Sequence, residues 1–236
     1  MLKVIISGRR TGHLTRVEFY HHLLNSHASL VESSPALKPL LRYVQNHVRH
    51  EEDGHRFQEF LRGQDSRDSV IELWWENSST LNSALSDPRY LATIRPDEEY
   101  FTEQKGLLVL LAEESEIFCR PRLQSHLKCF DFLQVCEGID PQLLLDALHG
   151  TAQLLDREDG LVRRRVINKV VAEEGATFAQ AAEFTAVTET WISDVNGFPE
   201  VHRRELQDLS ELLDLDRSFT VYAVEFPILD RTQYRT

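Results

Sequence analysis

Arg42-Tyr43-Val44-Gln45-Asn46-His47-Val48 decides how the chain is read, because its Tyr43–Val48 part returns in altered form as Arg165-Val166-Ile167-Asn168-Lys169-Val170. Both stretches are short, β-branched and alternating, the pattern of strands. Working outward from the first copy, Leu2 to Gly8 is a β-branched apolar run and reads as a strand. Thr15-Arg16-Val17-Glu18 is a capping box, and Phe19, Leu23, His27 and Leu30 then recur at helical spacing. After residue 48 come a charged connection (50–69), a strand (70–75), helical stretches (79–91 and 96–101) and an apolar strand (107–112) opened by Gly106. The order is β-α-β-β-α-β. The second half repeats it: a strand (127–135), a helix from Asp140-Pro141, strands over 161–171 and 184–187, helix from Trp191 to Leu213 interrupted by Pro199, and a strand (218–226) before a loose tail.

Further positions support the repeat. Glu72-Leu73 aligns with Glu183-Phe184, Pro88 with Pro199, and Glu113-Glu114 with Val224-Glu225. The expected fold class is α+β: tandem ferredoxin-like repeats (βαββαβ twice), residues 1–118 and 126–230, forming an intrachain dimeric-type α+β barrel. One such sheet carries helices on one face, and its other face stays wet unless a second sheet covers it. The link is expected near Ser115 to Ser125.

Composition excludes more than it names. With 26 Lys and Arg against 38 Asp and Glu, the formal net charge is -12, which argues against nucleic acid or an anionic membrane as partner. Cys119, Cys129 and Cys136 form no CxxC or zinc-type spacing and read as reduced thiols in a cytoplasmic protein. The run at the N-terminus is too short for a signal-peptide core, and no stretch approaches a membrane span. His50-Glu51-Glu52-Asp53-Gly54-His55 holds metal-capable side chains but no HExxH spacing, and reads as a solvated loop. No phosphate loop, dinucleotide fingerprint or GxSxG elbow occurs. No metal and no cofactor is therefore expected. Association of whole chains into a homodimer through barrel surfaces is allowed but not demanded.

Phe19-Tyr20-His21-His22, Ser26-His27-Ala28-Ser29-Leu30-Val31, Arg42 to Val48 and Glu72-Leu73-Trp74-Trp75 occur in an order and spacing that resemble the EthD-like family. That family belongs to the dimeric α+β barrel superfamily and takes its name from a bacterial ethyl tert-butyl ether degradation cluster. The resemblance covers about the first half. Leu23 stands where the family has tryptophan, and Ser29 where it has proline. In the second half, Ala152, Lys169 and the pair Thr185-Ala186 align with His27, His47 and the tryptophan pair, so the site is expected in the first half.

His27 lies at the margin of the apolar helix face and can exchange a proton near neutral pH; the alternative is a core histidine satisfied by a carbonyl. Tyr43, Gln45 and His47 share one strand face. It is either the helix side, where they meet His27, or the sheet–sheet side. Trp74 and Trp75 must point to opposite faces. Glu72 in an apolar strand needs a partner if buried, with Arg9, Arg42 or His47 as candidates. The candidate catalytic set is His27, His47, Tyr43 and Glu72; the candidate substrate-binding set is Phe19, His22, Gln45, Trp74 and Trp75.

Three functions follow. The first is a small-molecule enzyme using cofactor-free acid–base chemistry (dehydration, decarboxylation or cyclisation, with a cofactor-free oxygenase as a variant) on an apolar, aromatic or polyketide-like substrate of secondary metabolism. The resemblance implies such lyase-, dehydratase- or cyclase-type chemistry without choosing among its forms. The second is a non-catalytic ligand-binding or accessory protein of a degradation or biosynthetic cluster. The third is a haem-binding tandem barrel, for which the second half offers only His126, His149 and His202. The repeat also carries a prediction. Each half expressed alone should be insoluble or self-paired, because it exposes an apolar sheet face; a monomeric half with two-state unfolding in sedimentation and denaturation experiments would contradict it.

Overall fold

The structure is a computed structural model describing residues 1–50, 61, 66–121, 125–157, 160–172 and 184–232. Eight strands, β1 (Leu2–Gly8), β2 (Arg42–Val48), β3 (Ser69–Trp75), β4 (Leu108–Cys119), β5 (Leu127–Leu133), β6 (Val162–Val170), β7 (Ala186–Ile192) and β8 (Phe219–Asp230), close into a barrel in the order β1-β3-β2-β8-β5-β7-β6-β4. Every pairing is antiparallel. Helices α1 (Arg16–His21), α2 (Ala28–Ser33), α3 (Ser78–Leu85) and α4 (Arg95–Phe101) belong to the first half, α5 (Pro141–Arg157) and α6 (Phe198–Asp208) to the second. The Thr15–Glu18 capping box opens α1 as expected. Gly106, at φ 81°, makes the left-handed turn that leads into β4, a conformation glycine adopts without strain. No helix among the described residues is long and apolar enough to cross a membrane.

Three sequence expectations are corrected. The supposed link from 115 onward is strand: β4 continues through Cys119 and pairs with β6, from Ala112↔Val170 to Cys119↔Arg164. The tail beyond Pro227 is strand too, pairing with β2 up to Arg42↔Asp230. Trp191 starts no helix but lies in β7, and Pro199 sits in the first turn of α6 instead of interrupting it. The aligned residues 51–55 of the histidine–acid loop lie outside the described residues; His50 stands 3.5 Å from Asp68.

The barrel interior explains the register. Lys3 and Lys128 are both buried there. Lys3 pairs with Glu72 (2.8 Å), Glu114 (2.8 Å) and Glu189; Lys128 pairs with Glu72 (2.6 Å), Glu189 (3.2 Å) and Glu225 (3.2 Å). Asn46 donates to Glu72 at 2.8 Å and Asn168 to Glu189 at 2.7 Å. Trp74 donates to Glu114 at 3.3 Å and Trp191 to Glu225 at 2.7 Å, with the two ammonium groups over their indole rings at 4.6 and 4.1 Å. Each contact thus has a counterpart in the other half. Lys3↔Trp74 and Lys128↔Trp191 are also corresponding ladder partners. Glu72 therefore corresponds to Glu189, not Glu183, and Trp74 to Trp191, which corrects the alignment drawn from sequence. A second interior layer is apolar, with Ile5, Val70, Leu110, Phe130, Phe132 and Val221.

A different network fills the outer face of the second half, under α5 and α6. Asp131 accepts from Thr188 and Thr220 (2.8 Å each) and from His202 Nε2 (3.0 Å); Arg165 donates to Thr190 and to Glu205 (2.7 Å). Burial opposes both charges of the Asp131–His202 pair. Mutual attraction nevertheless raises the His202 pKa above its ordinary value and holds Asp131 down to about 2.

Two predictions follow. Removing one partner of a buried ion network leaves the others uncompensated, so Lys128→Met should cost about 3–5 kcal/mol in urea unfolding; a loss under about 1 kcal/mol would contradict the interior arrangement. A raised folded pKa stabilises fully below the unfolded value, about 6.5 for histidine, and this is lost as pH rises through the folded value. The stability gap between wild type and His202→Gln should therefore be widest at mildly acidic pH, below about 6.5, and narrow as pH rises. A gap independent of pH would count against a charged His202.

Candidate functional site

Strand alternation divides the first-half residues between two faces. Lys3, Glu72 and Trp74 point into the barrel; Val4, Ile6, Tyr43, Ile71, Leu73 and Trp75 point out, under the helices. Between that outer face and the helices lies a cavity of about 160 Å³. Its walls are mostly aliphatic and aromatic, with His27, Tyr43, Tyr90 and Glu98 among the polar side chains that reach it. A dry cavity of about 150 Å³ is large enough for a benzene ring.

His27 arrives there through an irregular helix. Between α1 and α2 the chain makes a π-helical stretch, His22–His27. An α-helix turns about 100° per residue, which would set residues five apart about 140° from each other. The i→i+5 bonding of a π turn brings them onto one face instead. His22 and His27 consequently reach the same carboxylate. Asp97 Oδ1 stands 2.8 Å from His22 Nε2, and Asp97 Oδ2 stands 2.9 Å from His27 Nδ1. Burial would raise the Asp97 pKa, but the bonds from His27 and His22 outweigh it and hold the carboxyl below its usual range. The ionised Asp97 accepts a hydrogen bond from His27 Nδ1, and His27 Nε2 makes no hydrogen bond among the described residues. Phe101 packs on the His27 ring at 4.9 Å and Tyr43 meets it edge-on at 6.4 Å.

Tyr43 is held by a short polar chain. Gln45 Nε2 donates to the Tyr43 hydroxyl (2.8 Å) and to the Leu23 carbonyl (2.7 Å), while His47 Nε2 reaches Gln45 Oε1 at 3.2 Å. The hydroxyl proton of Tyr43 is thereby left for another acceptor, and burial raises the phenol's pKa, so it remains a donor. His47 does not line the cavity. It is stacked on Tyr20 (4.5 Å) and meets Phe226 at a tilt (4.4 Å), and burial pushes its pKa down to about 4.

The nine residues singled out from sequence are thus separated. His27, Tyr43 and Trp75 line the cavity; Gln45 braces Tyr43; His22 shares Asp97; Phe19 packs behind with Leu23 and Phe101. Glu72 and Trp74 are on the wrong face, inside the barrel, and the partners of Glu72 are Lys3 and Lys128, not Arg9, Arg42 or His47. Sequence reasoning passed over Asp97 and Glu98. Both follow Pro96 in the first turn of α4, where acidic side chains are expected for the helix dipole alone.

The second half does not present the same cleft. From the matched registers, Cys129, Asp131, Thr188, Thr190 and Arg165 occupy the positions of Val4, Ile6, Ile71, Leu73 and Tyr43. Cys129, Asp131 and His202 bring three metal-capable atoms within 4.8 Å of one another. Asp131 is already taken by two threonines and His202, and burial together with Asp131 holds the Cys129 thiol protonated, so the trio is accounted for as a hydrogen-bonded ion pair. A haem does not fit here either. His202 Nε2 is spent on Asp131 and its Nδ1 faces the Tyr222 hydroxyl at 3.4 Å, while His126 and His149 are exposed.

Comparison with solved structures gives the fold. An anthrone oxidase-like protein superposes with a TM-score of 0.61 at 11% identity, covering 98% of this chain and 94% of that one. A monooxygenase candidate from Lactobacillus acidophilus NCFM gives 0.53 at 9% identity, covering 95% and 93%. A variant chlorite dismutase from Candidatus Nitrospira defluvii gives 0.54 at 9% identity, covering 96% and 92%. No curated protein sequence matches significantly. Residues 12–105, which carry His27 and the helices over the cavity, match the EthD domain.

Proposed function

We propose that the protein is a cofactor-free acid–base enzyme acting on a small apolar, aromatic molecule in the first-half cavity. The observation that carries this reading is the Asp97–His27 pair, which sets the histidine tautomer and leaves Nε2 beside an apolar cavity. An oriented imidazole next to a hydrophobic pocket is the arrangement of a general base, with the pocket holding the substrate and the carboxylate holding the ring. Tyr43, braced by Gln45, supplies a hydroxyl proton to a substrate oxygen. Trp75 and the aliphatic strand residues position a ring. The EthD domain and the anthrone oxidase-like neighbour support a role in small-molecule chemistry, and within that role the reading favours proton transfer next to a carbonyl, the step shared by dehydrations, decarboxylations and aldol-type cyclisations.

The reading extends to the rest of the chain. The matching strand orders favour two ferredoxin-like copies, residues 1–118 and 126–230, with the second serving as the scaffold that closes the barrel. A cytoplasmic location fits the free cysteines.

Exchange of the α-protons of 2-indanone in deuterium oxide, followed by proton NMR, tests the function. His27→Gln should slow catalysed exchange about 10²–10⁴-fold while the circular dichroism is unchanged. Full activity in His27→Gln would make His27 structural. Tight binding of 2-indanone with no exchange in wild type would replace the enzyme reading with that of an accessory binding protein.

A further inference from the structure

Glu98 follows Asp97 on α4 and faces a different way. Asp97 turns to the two histidines, and Glu98 turns to the cavity, which it lines together with His27 and Tyr43. One of its carboxyl oxygens, Oε2, accepts from the Tyr90 hydroxyl at 2.8 Å. The nearest cation, Arg95, is 4.0 Å from that same oxygen and is committed to Glu99 at 2.9 Å. Oε1 takes no hydrogen bond among the described residues. The side chain is half-buried and lines the cavity, with 30% of its surface accessible.

A carboxyl needed only to satisfy Tyr90 would use one oxygen and could be ionised or not. Several features favour the acid form. The cavity walls are predominantly apolar, Asp97 is an ionised neighbour, and Arg95 is drawn away. Desolvation accordingly raises the Glu98 pKa above its ordinary value, against the opposing pull of the His27 ring, the Tyr90 hydrogen bond and Arg95. One cavity therefore holds two titratable groups whose surroundings differ: an oriented imidazole with a bare Nε2, and a carboxyl with a bare oxygen that tends to retain its proton.

We infer that Glu98 is the general acid that works opposite His27, and that the two together enolise an aromatic ketone bound between them. This rests on the acid–base reading of the cavity. His27 Nε2 takes a proton from the carbon next to the carbonyl. The C–H electron pair becomes the new C=C bond, the carbonyl π pair moves to oxygen, and oxygen takes the proton of Glu98. The products are an enol, a His27 imidazolium and a Glu98 carboxylate; the reverse step restores all three, so no oxidant or co-reactant is needed. Tyr90 steadies the Glu98 carboxylate that forms, through the bond it already makes. The ligand class is a one- or two-ring aromatic compound with an enolisable carbonyl.

Two probes separate the acid from the base. Deuterium exchange into 2-indanone needs a base and gains from an acid at the carbonyl oxygen. Ring opening of 5-nitro-1,2-benzisoxazole needs a base only, because its nitrophenolate leaves unaided. Glu98→Gln should slow 2-indanone exchange about 100-fold, within the usual range for one acid–base group, while benzisoxazole opening stays within a few-fold of wild type. His27→Gln should lose both. In wild type, 2-indanone exchange should fall again at high pH as Glu98 ionises, whereas benzisoxazole opening should rise to a plateau; this comparison holds even if Glu98→Gln fails to fold. Unchanged 2-indanone exchange in Glu98→Gln, an equal loss of both reactions, or identical pH profiles would overturn the role of Glu98 while leaving His27 as base. Failure of wild type to catalyse either reaction would overturn the acid–base reading itself.

Discussion

Two ammonium groups buried inside a closed barrel constrain everything else in this molecule. A buried charge is tolerated only when opposite charges and hydrogen bonds surround it. Lys3 and Lys128 each draw carboxylates from both halves: Glu189 crosses to Lys3 and Glu72 crosses to Lys128. The pairing thus works only with the barrel closed in one register. A slip of one residue on any of these strands would turn a charged side chain outward and an outer side chain inward. The interior ion network selects the register, and the apolar layer around Phe130 and Phe132 fills the rest of the barrel interior.

Once the interior is assigned, the outer faces are assigned too, and there the halves diverge. In the first half the outward residues of β1 and β3 are Val4, Ile6, Ile71 and Leu73, side chains that ask nothing of a ligand but contact. The corresponding positions in the second half are Cys129, Asp131, Thr188 and Thr190. Those polar groups must be satisfied, and Arg165, Glu205 and His202 satisfy them by filling the space under α5 and α6. A shared interior with unlike exteriors is how one half can serve as a sealed support while the other keeps a cavity open.

Much of this was legible in the sequence, and the rest was hidden for physical reasons. Alternation and the repeat of Arg42–Val48 gave strand number, order and the β2–β6 correspondence through Asn46 and Asn168. The β7 register was missed because Glu183 offered an acidic residue at an unbroken spacing, while the residue that pairs with the lysines is Glu189. Trp191 then looked like a helix start when it was the counterpart of Trp74. Glu72 was recognised as needing a partner, but its partners are lysines on β1 and β5, both more than fifty residues away, and no local pattern announces them. Phe19, Leu23 and His27 followed the 3.6-residue period, which placed His27 correctly and gave His22 no reason to join it.

The π-helical turn is the step at which sequence pattern and site chemistry part company. One extra residue in the turn costs regular hydrogen bonding, and such turns persist where the surroundings compensate. Here the compensation is visible: Asp97 receives both rings, Phe101 packs against both, and the Leu23 carbonyl accepts from the Gln45 amide while the Leu23 side chain is buried with Phe19 and Phe101. The carboxylate, in turn, stays ionised in a half-buried place because it has two donors in place of one. A regular helix would have offered it His27 alone, with the second oxygen left to solvent. The distortion therefore does two things at once. It places His22 where it stabilises the charge on Asp97, and that charge holds, through Nδ1, the His27 ring that lines the cavity.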